Sequence, residues 1–96
     1  MPPALDEWGV EVKHAGSEAL DRIDGLLDAL RALPALKEQR PGVFYLRSKA
    51  FVHFHEDGAD VYADVRPAGE ASFSRLKVTG VTGQRQLLRI AREASR

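Results

Sequence analysis

Ninety-six residues, 44% hydrophobic and 29% charged with a formal net charge of zero, have the balance of one globular domain and too little length to bury a second core. The chain has no cysteine, which excludes disulfides, thiolate zinc sites and cysteine nucleophiles. No apolar run reaches the roughly 18 to 20 residues that span a bilayer, and the opening MPPALDEWGV lacks a basic n-region and an apolar h-region, so a single domain over 1–96, cytoplasmic and without a membrane partner, is expected.

The charges are unevenly spread. Residues 1–30 hold seven acids (Asp6, Glu7, Glu11, Glu18, Asp21, Asp24, Asp28) against Lys13 and Arg22, while residues 71–96 hold six bases (Arg75, Lys77, Arg85, Arg89, Arg92, Arg96) against Glu93. Such halves attract one another within one molecule or between two, and the pattern is as compatible with association as with an acidic partner.

In chain order, residues 8–12 alternate through Trp8, Val10 and Val12 and offer an additional N-terminal strand, weakened by Gly9. The first helix is predicted over 17–33, where Ala19, Leu20, Ile23, Leu26, Leu27, Leu30 and Leu33 share one side and Glu18, Asp21, Asp24 and Asp28 the other. Ser17 is its expected N-cap, and Pro34 ends it. Four short alternating runs follow, at 43–46, 50–55, 60–66 and 73–79. A second helix over 83–94, with Thr82 as its cap, turns Leu87, Ile90, Ala91 and Ala94 inward. The order α-β-β-β-β-α predicts an α+β two-layer sandwich. Its four-stranded antiparallel sheet, with the N-terminal strand as an alternative fifth, carries both helices on one face.

The stretch AFVHFHEDGADVYADVR, residues 50–66, sets the two faces. A two-residue turn at Asp57-Gly58 places Phe54 opposite Val61, Val52 opposite Ala63 and Ala50 opposite Val65 on an apolar face. The other face pairs His55 with Asp60, His53 with Tyr62 and Phe51 with Asp64. A longer loop shifts partners but leaves the faces unmixed. Continued outward, the alternation puts Val43, Tyr45, Leu76 and Val78 with the apolar face, and Phe44, Leu46, Phe73, Arg75 and Lys77 with the histidines.

Within LPALKEQRPGVFYLRSKAFVHFHEDGADVYADVR, residues 33–66, the leucine-proline helix end, Ser48-Lys49-Ala50-Phe51 and His55-Glu56-Asp57-Gly58 resemble the MmcQ/YjbR-like family. The resemblance implies a helix, an antiparallel sheet and a closing helix, in a family described as DNA-binding. His53-x-His55 followed by Asp-Gly also resembles small luciferase-annotated bacterial domains. Each likeness covers about a third of the chain at motif grade, and neither carries a catalytic constellation that transfers. The glycine-tryptophan region of such families is absent toward the C-terminus, since Trp8 is the only tryptophan.

The histidine face is the candidate ligand or interface surface, comprising Phe44, Phe51, His53, His55, Tyr62, Asp64 and Arg66. A His-x-His pair on a strand points two imidazoles one way, and with Asp64, Asp60 or His14 as a further ligand it can hold a divalent transition metal. An alternative is general-base chemistry by His53 or His55, although no nucleophile or oxyanion loop accompanies them. Arg85, Arg89, Arg92 and Arg96 recur at i, i+4, i+7 and i+11 and form one ridge, which with Arg75 and Lys77 can track nucleic-acid phosphates. The bland alternative is a solvated face favoured by the helix dipole. The expectation favoured over these is a non-catalytic binding or interaction module, with no cofactor required. It is expected to form a homodimer or bind another protein through Phe44, Leu46, Phe51 and Phe73, large apolar side chains that a solvated sheet face does not leave in water.

Overall fold

A computed structural model of the chain describes residues 15–68 and 70–96. The N-terminal strand expected at 8–12 and the candidate ligand His14 lie outside these residues. The elements are α1 (Ser17–Arg22), α2 (Asp24–Arg31), β1 (Leu36–Arg40), β2 (Val43–Leu46), β3 (Lys49–Asp57), β4 (Asp60–Val65), β5 (Ser74–Lys77) and α3 (Val81–Ala94). All strands pair antiparallel with their chain neighbours, in the order β1-β2-β3-β4-β5. The helices pack against this sheet, giving an α+β fold.

The first helix is two pieces, not one. At Ile23 (φ −114, ψ 27) the amide bonds the Leu20 carbonyl three residues back, at 3.1 Å, so the chain tightens by one turn before α2 begins. Ile23, Leu26, Leu27 and Leu30 are nevertheless buried together, and the stripe read from the sequence is the one used. Neither expected cap holds: Gly16 and Gly80 precede the helices, and no side chain caps either one. Helix α3 begins two residues earlier than predicted. There Gly83 is obligatory, since an added Cβ would lie 1.8 Å from the Lys77 carbonyl oxygen.

Strand β1 had no apolar signal because it is an edge. Of Leu36, Lys37, Glu38, Gln39 and Arg40, only Leu36 enters the core, and charged residues suit an edge that must not pair with another chain. A two-residue turn of Pro41 and Gly42 (φ +78) joins it to β2. Arg31 closes on Glu38 at 2.7 and 3.0 Å, fastening α2 to this edge.

The β3–β4 hairpin keeps its faces but shifts by two residues. Asp57 pairs with Asp60, so the loop is Gly58-Ala59, and positive φ falls on Gly58 alone (+62). This has the glycine-first arrangement of a type II′ turn. Phe54 therefore meets Ala63, Val52 meets Val65, His55 meets Tyr62 and His53 meets Asp64. Parity is conserved, and Leu76 and Val78 join the apolar side as expected.

Strand β2 is turned over relative to the sequence reading. Tyr45 faces Ala50, as a two-residue Arg47-Ser48 turn requires, but Phe44 faces Val52 and Val43 faces His53. One step along β2 spans two along β3, so Phe51 is the extra residue of a β-bulge. The bulge moves Phe44 and Leu46 to the helix side, and Val43 and Tyr45 to the histidine side. Phe44 is 0% exposed in the core beside Val52 and Leu30.

Candidate functional site

The centre of the histidine face is a buried polar cluster. His53 is 0% exposed, His55 7% and Asp64 8%. Asp64 stands opposite His53 on β4, and Arg75 opposite Asp64 on β5. The Arg75 guanidinium grips both carboxylate oxygens, at 2.9 and 3.2 Å. Nε2 of His53 and Nε2 of His55 lie 3.7 and 3.6 Å from the same carboxylate. The His55 ring stacks on Tyr62 with centroids 5.6 Å apart. Burial pushes the Asp64 carboxyl up, but the Arg75 hydrogen bonds and the charges of His55, Arg75 and His53 outweigh it, leaving Asp64 below the ordinary range.

The three residues expected to hold a metal therefore do converge. Among the described residues, however, no group of three or more histidine, aspartate or glutamate side chains is arranged to hold an ion. At this cluster the cationic place beside Asp64 is taken by Arg75. Asp60, the alternative ligand, faces Asp57 and accepts from Thr79 Oγ1 at 3.2 Å, with Lys77 Nζ 3.5 Å away.

The same burial extends to two of the residues expected at an interface. Phe44 and Phe51, both expected on the histidine face, pack instead in the helix-side core, at 0% and 2% exposure, so neither needs a second chain to leave water. Among the described residues the exposed large hydrophobic is Val81, not an aromatic of the sheet. Arg75 and Lys77 do not extend the α3 ridge either. They pair with Asp64 and Asp60 on the histidine side, whereas α3 packs on the other.

Two of the expected interface residues meet elsewhere. Phe51 and Arg66 line a cavity of about 590 Å³ at the start of β3, where the β2–β3 turn, the β4–β5 loop and the end of α3 come together. Its apolar lining includes Leu46, Phe51, Pro67 and Ala94. Its charged lining is Arg47, Lys49 and Arg66 against Glu70. The Arg66 guanidinium bonds the Ala50 carbonyl through Nη2 and lies 5.1 Å from the centroid of the Phe73 ring, so it is held on two sides. Arg47 donates from Nη2 to the main-chain oxygen of Arg96 at 3.1 Å and ties the turn to the chain just beyond α3. The sequence marks Arg47-Ser48 as a turn and nothing more. The β3–β4 hairpin brings Arg66 beside this turn, its amide donating to the Phe51 carbonyl at 2.9 Å, but the β4–β5 loop that completes the lining is encoded by no local pattern.

No protein-family model, curated protein or solved structure matches the chain. The likeness to MmcQ/YjbR-like proteins therefore stands on the quoted residues alone.

Proposed function

We propose that this chain is a small non-catalytic binding module that takes an anion with an apolar body in the cavity at the start of β3. The observation that carries this reading is the meeting of Arg47, Lys49 and Arg66, from two separate segments, around a lining that is about half apolar. Concave sites of several hundred Å³ with few polar groups on an apolar lining suit small ligands. Three cations against Glu70 set the sign of the charge. The histidines that a general-base mechanism would use are buried, and the carboxylate beside them is held by Arg75. A cysteine-free chain suits the reducing cytoplasm, where this module is expected to act.

Phenyl phosphate and benzoate are suitable probes, with phenyltrimethylammonium as the cationic control, each followed by amide chemical-shift mapping. Both anions should shift the amides of residues 46–51, 66, 68 and 70–71 saturably, and the cation should not. Equal shifts from the cation, or none from either anion at tens of millimolar, would overturn the proposal.

A second reading concerns a polymeric anion. Arg85, Arg89, Arg92 and Arg96 are all exposed, and no ion pair involves them among the described residues. By the 3.6-residue period Arg85, Arg89 and Arg92 follow one line along α3, whereas Arg96, expected on the same ridge, lies past the helix end at Ala94. If this line tracks phosphates, binding of a single-stranded oligonucleotide should weaken steeply as salt rises. An Arg89→Glu/Arg92→Glu variant should abolish that binding while still taking phenyl phosphate.

A further inference from the structure

We infer that Arg47 is the anion anchor of this cavity, held there by a turn whose backbone would prefer other residues. This inference rests on the anion-binding function proposed above and names the group that selects the ligand.

The turn between Leu46 and Lys49 has two residues, and both take positive φ: Arg47 at +52 and Ser48 at +68. Among the described residues these are the non-glycine positions with positive φ. Two positive-φ residues in a two-residue hairpin loop make the type I′ geometry, for which Asn-Gly is the favoured sequence because an L side chain in the left-handed region crowds its own backbone. The opposite hairpin of the same strand follows that rule, with its positive φ on Gly58. Nothing about the reversal at 47–48 calls for an arginine. What Arg47 adds is a side chain on the cavity lining, with one contact to the main-chain oxygen of Arg96 and a guanidinium that has five N–H donors in all. Backbone strain kept beside a cavity is a recognised mark of a functional position.

The three cations then divide the work. Arg66 is committed to Ala50 and Phe73 and forms a fixed wall. Lys49 is an exposed, compact charge on a flexible stem. Arg47 is the planar fork that matches an anion presenting two coplanar oxygens. The ligand class is therefore a carboxylate or phosphate attached to an apolar body that reaches Leu46, Phe51 and Ala94.

The test compares wild type with Arg47→Lys, Ser48→Gly and the double variant Arg47→Asn/Ser48→Gly. Each is titrated with phenyl phosphate, benzoate and inorganic phosphate, and each is melted without ligand. The double variant should melt several degrees higher, since it installs the preferred turn, and should bind phenyl phosphate at least about tenfold more weakly. Ser48→Gly should also melt higher, yet keep its affinity within about twofold. Arg47→Lys keeps the charge and should still lose several-fold. Tighter binding of benzoate than of phenyl phosphate would mark a carboxylate ligand, and the reverse a phosphate; inorganic phosphate should bind most weakly because it lacks the apolar body.

If wild type binds and the double variant binds equally well, Arg47 is not the anchor, although the cavity remains an anion site. If the double variant melts lower, the turn is not strained and the Arg96 contact is the reason for Arg47. If wild type binds none of the anions, both proposals fall.

Discussion

Strand β3 enters from a turn built on Arg47 and Ser48 and leaves through one built on Gly58 and Ala59. The two turns make the same reversal with different backbones. At the exit, positive φ falls on a glycine, and a Cβ added there would meet nothing within 4 Å. At the entrance, two side chains sit in the left-handed region beside a cavity with three cations on its lining. The exit is solved for folding alone. The entrance carries side chains that the turn does not need, and chemistry gathers at that end.

The largest test of this contrast lies in the packing behind the two turns. Phe54→Ala removes a core ring near the exit and should destabilise by about 3–5 kcal/mol in urea titration. Phe51→Ala removes the bulge ring, as buried as Phe54 but lining the cavity, and should cost less because the space it leaves opens into that cavity rather than forming a closed void. Equal losses would mean that the entrance is packed as tightly as the exit.

Between the turns, Asp64→Asn should cost about 1.5–3 kcal/mol near neutral pH, since it weakens charge-assisted bonds to Arg75 at a buried position. The folded-state pKa of Asp64 is depressed, so its contribution is fully present above the unfolded value, near pH 4, and is lost as pH falls through the lower folded value. Stability curves of wild type and variant should therefore run parallel at pH 6–7 and converge below about pH 4. A gap that persists undiminished at pH 2 would show that the Asp64 charge is not its source.

The smallest and sharpest test is a mirror pair. Gly58→Ala should destabilise by about 1–2 kcal/mol through backbone conformation alone, since its side chain meets nothing. Ser48→Gly should stabilise, by at most about 1 kcal/mol, because relief of the left-handed backbone is offset by glycine's greater entropy when unfolded. Chemical denaturation of both variants measures the difference between the turns directly, and two changes of the same sign would erase it.

Much of the fold was legible in the sequence where a periodic signal met a buried face. Ile23, Leu26, Leu27 and Leu30, and likewise Leu87, Ala91 and Ala94, announced the helices. Val52 and Phe54 against Val61, Ala63 and Val65 announced the central hairpin, whose faces survived a register error because that error was two residues. A one-residue bulge at Phe51 is a different matter: it reverses parity, and with it the side assigned to every residue of β2. The polar edge strand β1 was silent because only Leu36 enters the core. The meeting of His53, His55 and Asp64 followed from alternation, but the dominance of Arg75 over that carboxylate depended on a cross-strand neighbour. The cavity depended on two distant loops and could not be read at all.

The sequential order of the strands bears on how quickly the chain can fold. Each of the four strand pairs joins segments adjacent in the chain, and three of the four connections are two residues long. Little loop-closure entropy is lost before a hairpin gains its partner, and pairing can propagate from β3 in both directions. Such low sequence separation places this sheet toward the fast end of the range for mixed α and β domains. The slow event should be the docking of α3. It must bring Leu87 and Ala91 back from the C-terminal end onto a surface that includes Ile23 and Leu30, and it is the longest-range closure among these elements.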